Sequence, residues 1–307
     1  MQVVEPNAPS LTVGMPVYNG ERFIARALSS LLEQDFRDWT LIVADNCSTD
    51  GTCAVVDAFC RLDARIRLVR HERNLGAVAN FLYLAEQAAT PYFMWAAHDD
   101  EWSSNYISAC LAQLEAHPDA GFAGGRVVNI DAEGQQLREY GSFAPFAVAD
   151  RRQRLRNFIR AREADGKANM IYSVFRTPLL QTVCRIPDIL DGWGADMAFV
   201  AAALARARYL WVHNEVLLKR VLSESDQQTA RALAARRYDQ VECRGHYPLP
   251  VHEAYTRSLC KGMPDRATSM IVKTAMGRRR WELQTREQVT KVLSLPQRAI
   301  NRLGRSS

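Results

Sequence analysis

Four short apolar runs in the first hundred residues constrain this chain most. Each ends in a polar stretch, and a segment of helix length separates each from the next. They are LTVGMPV (11–17), WTLIVA (39–44), IRLVR (66–70) and residues 91–97. Apolar runs without strict alternation fit strands buried on both faces. Between the first two, Phe23, Ala27 and Leu31 recur every four residues, with Ile24, Leu28 and Leu32 alongside, so 22–34 reads as an amphipathic helix. Residues 52–61 read as a helix capped by Ser48 or Thr49, and 77–89 as an Ala-rich helix. Strands alternating with helices predict an α/β fold with a mostly parallel sheet flanked by helices.

In such sheets ligands bind beyond the carboxyl ends of the strands. Tyr18-Asn19-Gly20, Asp45-Asn46, Arg70 to Gly76 and His98 to Glu101 all follow strands, so they gather along one edge. The stretch PYFMWAAHDDEW (91–102) carries a hydrophobic strand straight into three adjacent acids. Adjacent carboxylates repel one another, and a divalent cation relieves them. Hard cations such as Mg²⁺ take carboxylate oxygens and share their shell with substrate phosphates.

Charge and cysteine usage narrow the classes further. The net charge of +5 is uneven: residues 266–307 hold ten Lys/Arg against Glu282 and Glu287, a net +8, which leaves −3 for the rest. The basic balance therefore belongs to a C-terminal segment, and no nucleic-acid partner is expected. Seven scattered cysteines without a CxxC pair argue against a zinc site or a disulfide framework. Residues 1–10 lack a basic start and an apolar run, so no signal peptide is expected. No run approaches the roughly 18 apolar residues of a membrane span, and a reduced, cytoplasmic setting is the expectation.

The second half is less regular. Helices are expected over 103–117, 151–163 and 196–207, strands over 120–130, 170–176 and 209–221, and a loop or linker over GSFAPFAVAD (141–150). From about 230 the chain reads as helical and charged. The tail mixes Lys/Arg with Trp281, Val289, Leu293 and Ile300, and Pro296 would split it into two pieces. Such a basic amphipathic segment suits an anionic membrane surface or, equally, packing on the domain or on a second copy in a homo-oligomer.

The succession VGMPVYNGERFIARALSSLLEQ, LIVADNCSTDGT, RNLGAVAN and MWAAHDDEW resembles the family-2 nucleotide-sugar glycosyltransferases. The resemblance implies a GT-A (Rossmann-like) fold and inverting transfer from a nucleotide sugar, commonly a UDP-sugar, to a glycan or lipid-linked acceptor in cell-surface polysaccharide synthesis. It implies a glycosyltransferase domain over 1–230, divided near 130 into nucleotide-sugar and acceptor halves, and a helical basic extension over 231–307.

The same resemblance assigns roles. Pro16, Tyr18 and Asn19 match the first nucleotide loop, Asp45 the acid that receives the base, and Asn74 and Gly76 the turn beside the nucleotide sugar. The acids match an Asp-x-Asp motif for Mg²⁺ or Mn²⁺. Aligned on Trp102, that motif has Ala97 at its first acidic position and Asp99 at its second, with Asp100 close by and His98 near phosphate or ribose. Asp196 in GWGADMAF matches the general base, with Asp191 the weaker competitor. Arg220 in LLKRVLSESDQQ matches a diphosphate contact, followed by Ser223. Plainer roles stand beside these: Asp45 as a turn or cap residue, Asp99 and Asp100 as a helix start, and Arg220 as the partner of a surface acid. A non-catalytic nucleotide-sugar binding module and a nucleotidyltransferase are the alternative functions.

Overall fold

The computed structural model describes residues 10–162, 165–192, 194–221 and 249–293, the side chains of 249–251 and 282–293 excepted. β1 (Leu11–Val17), β2 (Trp39–Asp45), β3 (Ile66–Arg70) and β4 (Tyr92–Trp95) form the expected parallel set. Their register puts the ends abreast: Val17 pairs with Asp45, and Asp45 with Arg70. The polar stretches that follow therefore share one edge. Helices α1 (Ile24–Leu32), α2 (Thr52–Leu62) and α3 (Ala77–Glu86) connect these strands. Neither Ser48 nor Thr49 caps α2. Gly51 holds that position, with its N–H on the Glu21 carboxylate at 2.8 Å, and Ser48 instead accepts the Asn19 N–H.

The second half extends the sheet with mixed pairing. It contributes β5 (Glu101–Trp102), β6 (Ala120–Ile130), β7 (Gln136–Glu139), β8 (Val174–Arg176) and β9 (Arg208–Arg220). The strand order is β3-β2-β1-β4-β8-β6-β9-β5, with β7 paired to β6. β8 runs antiparallel to both β4 and β6, and β9 runs parallel to β6. The apolar run at 170–176 is not one strand: 167–172 coil into a 3-10 helix before β8 begins. Of the two readings of 141–150 the loop is the one realised: Phe143 and Phe146, at the two ends of a 3-10 turn (Ala144–Phe146), are buried and tie it to the domain.

Helix α4 (Tyr106–Ala116) packs on β6, and α5 (Arg151–Arg160), α6 (Thr177–Cys184) and α7 (Ala195–Arg206) follow. Asp150 caps α5, accepting the Gln153 N–H at 2.6 Å. Every residue from Met197 to Ala205 is buried. The five alanines among them let α7 lie close against its neighbours. An aromatic layer fixes α7 to the sheet: Trp95 meets Phe199 at 5.2 Å, Phe175 meets Phe199 at 5.8 Å, and Phe122 stacks on Phe175 at 4.9 Å. Each such buried side chain contributes about 1.5–3 kcal/mol, so the start of α7 is held firmly relative to β4.

The C-terminal segment is anchored rather than separate. α8 (Leu249–Lys261) packs on α7, and α9 (Arg266–Leu293) packs on α5 and α8. Thr268, Val272, Met276 and Arg279 are buried, and Arg279 donates to the Ile159 carbonyl at 2.8 Å. For residues 266–281 the packing expectation therefore holds. Residues 222–248, including Ser223, lie outside the described residues, as do Trp193 and 294–307 with Pro296.

Candidate active site

Loops at the carboxyl ends of β1, β2 and β4 build the first half of the site. Asn19 has a φ of +51° and ties two of them together: its Oδ1 accepts the Thr49 N–H and its N–H donates to Ser48 Oγ, both at 2.8 Å. Asp45 closes β2 and is buried. Its Oδ2 accepts the Ser48 N–H at 3.0 Å, while its Oδ1 is buried with no hydrogen-bond partner. Asn46 links to the turn before α3, where its Oδ1 accepts the Leu75 N–H at 2.8 Å and its Nδ2 donates to Asn74 Oδ1 at 2.9 Å. Gly76 opens α3 with a φ of +86°, a conformation that glycine adopts without Cβ strain.

These loops enclose a cavity of about 310 Å³. Pro16, Tyr18, Asn74, His98 and Asp99 line it, joined by Asn46 and Asn80. Asn19, Asp45 and Gly76 shape its loops without lining it. A second cavity of about 550 Å³ is walled by Tyr140, Asn169, Tyr172, Asp196 and Lys219. The two cavities share Ala77, Phe81 and Tyr172, so they adjoin.

Asp196 sits in the first turn of α7, after Gly194 at a φ of +72°. Its Oδ1 accepts the Met197 N–H at 2.8 Å. Solvent reaches Asp196 along the cavity, yet desolvation by the surrounding protein pushes its carboxyl above the usual range, against the pull of Met197 N–H and Lys219. Asp191 is exposed and lies off both cavity walls. Tyr172, between the cavities, has its phenol pushed up to about 12 by burial.

The acidic stretch divides in a way the sequence does not suggest. Asp99 is half-buried on the first cavity wall. Asp100 turns the other way and is fully buried. Its Oδ1 accepts the Arg220 N–H at 2.9 Å, and Lys219 Nζ lies 3.8 Å from its Oδ2. Burial pushes its carboxyl up to about 6, opposed by the Lys219 charge and assisted by Asp99. Asp100 therefore departs from the expected metal ligand: its carboxylate already faces a protein cation and does not line the cavity.

Arg220 departs from expectation in the same sense. Its side chain has no exposed surface. The guanidinium donates to the carbonyls of Asp99 at 3.0 Å and Ala132 at 3.0 Å, to the Asp131 carbonyl and to the Glu101 carboxylate, and it lies over the Phe23 ring. It clamps the acidic stretch from behind and touches neither cavity, so a diphosphate contact does not fit. The plainer expectation, an acid as its partner, is the one realised.

No group of three or more His, Cys, Asp and Glu side chains among the described residues could hold a metal alone. One open carboxylate beside a cavity does suit Mg²⁺ or Mn²⁺, which are held by one or two carboxylates plus substrate phosphates. The residues present fit an ion that arrives with a phosphate ligand, with Asp99 as its protein ligand.

Lys219, Tyr172, Asn169 and Asn80 are the site residues the sequence did not disclose. A signal existed for Lys219: it adjoins Arg220 in a strand, where neighbours face opposite sides.

Strand-end loops gathered on one sheet edge, an adjoining second cavity and an acid at a helix start make up a ligand site of the kind α/β sheets build beyond their strand ends. Residues 12–177, just over half of the chain, match the description "Glycosyl transferase family 2", and the chain belongs to that family. The putative teichuronic acid biosynthesis glycosyltransferase TuaG of Bacillus subtilis (strain 168) is 33% identical over 103 residues, 34% of this chain and 41% of that protein. The UDP-Glc:alpha-D-GlcNAc-diphosphoundecaprenol beta-1,3-glucosyltransferase WfgD of Escherichia coli is 30% identical over 104 residues, 34% of this chain and 40% of that protein. The matched region thus spans about two-fifths of these curated relatives.

Among solved structures, S. aureus TarS 1-349 in complex with UDP-GlcNAc superposes with a TM-score of 0.62 at 17% identity, over 88% of this chain and 72% of that one. The mannosyltransferase PcManGT from Pyrobaculum calidifontis, solved with GDP-Man and Mn2+, gives 0.52 at 18% identity, over 96% and 84%. These likenesses establish the fold, which is the GT-A type expected from the sequence. No helix among the described residues is long and apolar enough to cross a membrane.

Proposed function

We propose that the chain is an inverting glycosyltransferase that moves a sugar from a nucleoside-diphosphate sugar, with UDP as the leaving group, to a hydroxyl of a glycan or lipid-linked acceptor. The observation that carries this reading is the junction of the two cavities at Tyr172, with Asp99 on one side and Asp196 on the other. The nucleotide occupies the smaller cavity, the diphosphate spans the junction at Tyr172, and sugar and acceptor occupy the larger. Asp45 lies behind the cavity wall rather than on it, and its unpartnered Oδ1 suits the imide N–H of a uracil ring seated deep between the β1 and β2 loops. Tyr18, 40% exposed at the cavity rim, offers a face for the base to stack on.

In the transfer step the acceptor hydroxyl oxygen bonds to the anomeric carbon, and its proton passes to the Asp196 carboxylate. The bond from that carbon to the phosphate oxygen breaks, and its electron pair leaves with the diphosphate. Asp99 would hold a Mg²⁺ or Mn²⁺ together with the donor phosphates, and that ion would supply neutralising charge. The wall shared by Phe81 and Tyr172 excludes water from the anomeric carbon.

The relatives named for teichuronic acid and for a diphosphoundecaprenol acceptor support a cell-surface polysaccharide as the product. They also make a membrane-borne acceptor reasonable. Met270, Lys273, Arg278 and Trp281 are exposed on α9 at near-helical spacing, an apolar and basic combination suited to an anionic membrane surface at the inner face.

The test is transfer and donor hydrolysis with a panel of UDP-sugars. Asp196→Asn should lower turnover by about 10²–10⁴-fold, the range of general base catalysis, with donor affinity unchanged. A variant that binds and transfers like the wild type would move the base elsewhere. A wild-type protein that binds UDP-sugars but neither transfers nor hydrolyses them would leave the binding-module reading.

A further inference from the structure

We propose that the Lys219 ammonium is the fixed protein cation that receives the leaving diphosphate, the role the sequence offered to Arg220. The inference rests on the donor reading above. Residues 219 and 220 are neighbours at the end of β9, so their side chains leave opposite faces of the sheet. Arg220 turns inward and is taken up by protein acceptors. Lys219 turns to the larger cavity, where it shares the wall with Asp196.

Its position is specific. The Nζ lies 3.8 Å from Asp100 Oδ2 and 5.0 Å from the centre of the Tyr172 ring, the side chain common to both cavities. The ammonium therefore stands at the junction, between the cavity of Asp99 and the base candidate Asp196. A separation of 3.8 Å holds the charge in place without forming a hydrogen bond. Asp100 Oδ2 has no hydrogen-bond partner, so it takes none of the three ammonium N–H donors. About a quarter of the Lys219 side chain, 28%, remains open to the cavity. Lys219 is part of the wall of the larger cavity, beside the Tyr172 junction.

The occupant follows from charge. Asp100 is fixed by the Arg220 N–H and in turn anchors Lys219, so the cation is held before any ligand arrives. Charge develops on the phosphate oxygen as the bond to the anomeric carbon breaks, and a preorganised cation stabilises it most there. Lys219 keeps its proton and donates hydrogen bonds only. The need for such a cation is greater in this chain, because Ala97 stands where the motif has its first acid and Asp100 is turned away. Within the acidic stretch Asp99 alone lines a cavity to grip a metal, so part of the neutralisation passes to protein. The diphosphate of a lipid-linked acceptor offers the same oxygens. The adjacency of Lys219 to the Asp99–Asp100 stretch assigns the donor.

Calorimetric titration of UDP and UMP in EDTA tests this. The variants are Lys219→Met, Lys219→Arg and the double variant Lys219→Met with Asp100→Asn, which avoids a lone buried carboxylate. In Lys219→Met and in the double variant, UDP affinity should fall about tenfold, the scale of one charge-assisted hydrogen bond, while UMP changes less than about twofold. Lys219→Arg should restore most of the UDP affinity. Equal losses for UDP and UMP would make Lys219 a purely structural partner of Asp100 and overturn the proposal. Unchanged UDP affinity with a raised KM for a diphosphate-lipid acceptor would overturn the donor assignment in favour of the acceptor. A wild-type protein that binds no UDP would overturn the donor reading itself, before any variant is compared.

Discussion

Replacing Arg220 separates its two candidate roles. Its guanidinium serves the carbonyls of Asp99, Asp131 and Ala132 and the carboxylate of Glu101, and its side chain has no exposed surface. Arg220→Met leaves those four acceptors without their donor. Breaking a buried charge pair costs about 3–5 kcal/mol, and Glu101 at 26% exposure recovers some solvation, so the low end applies. For a chain of this size each kcal/mol moves Tm by about 1.5–2 °C, which gives a fall of roughly 5–6 °C. Arg220→Lys keeps the charge but loses the planar fork that meets several acceptors at once, so it should fall part of the way. Thermal melts by circular dichroism read the stability. UDP calorimetry in EDTA, run well below the lower Tm, reads the site and should stay within about threefold of wild type. The reasoning fails if Arg220→Met melts like the wild type while UDP affinity drops tenfold or more. Arg220 would then be the diphosphate contact and the clamp an incidental geometry.

Asp45→Ala should weaken UDP binding while costing about 1 kcal/mol of stability, the value of the lost Ser48 N–H bond; unchanged affinity in the folded variant would remove Asp45 from base recognition. Asp99→Asn should weaken Mn²⁺-dependent UDP binding but leave binding in EDTA nearly untouched, and an equal loss in both conditions would deny Asp99 the metal. Because desolvation by the surrounding protein raises the Asp196 carboxyl, its working, deprotonated form is lost as pH falls through a value above the ordinary aspartate of about 3.9. The acid limb of the kcat profile should therefore lie higher than that, and a limb at or below it would identify another base. For the basic segment, Lys273→Glu with Trp281→Ser should abolish flotation with anionic vesicles at low salt. Flotation that survives both changes would free α9 of any membrane role.

How far the sequence could be read depended on how local each determinant is. The first four strands were legible because a strand buried on both faces is a continuous apolar run, whatever it later pairs with. The loops that follow them were legible for the same reason: Tyr18, Asn74, His98 and Asp99 lie on the cavity because the chain leaves each strand at one edge. The run at 170–176 misled because apolar content does not separate a 3-10 turn from a strand. Gly, Ser and Pro marked 141–150 as a loop or linker, but not that it is pinned by packing: Phe146 meets Phe158 of the following helix at 5.6 Å. The Lys219–Arg220 pair is the sharpest case. Either residue could face the ligand, and a shift of one position would exchange them. What decides it is the pairing of Ile130 with Arg220, 90 residues apart in the chain, across a β6–β9 ladder whose register slips between Gly125 and Arg126. A motif carried over by position alone therefore selects Arg220, whereas the sheet turns Lys219 to the cavity.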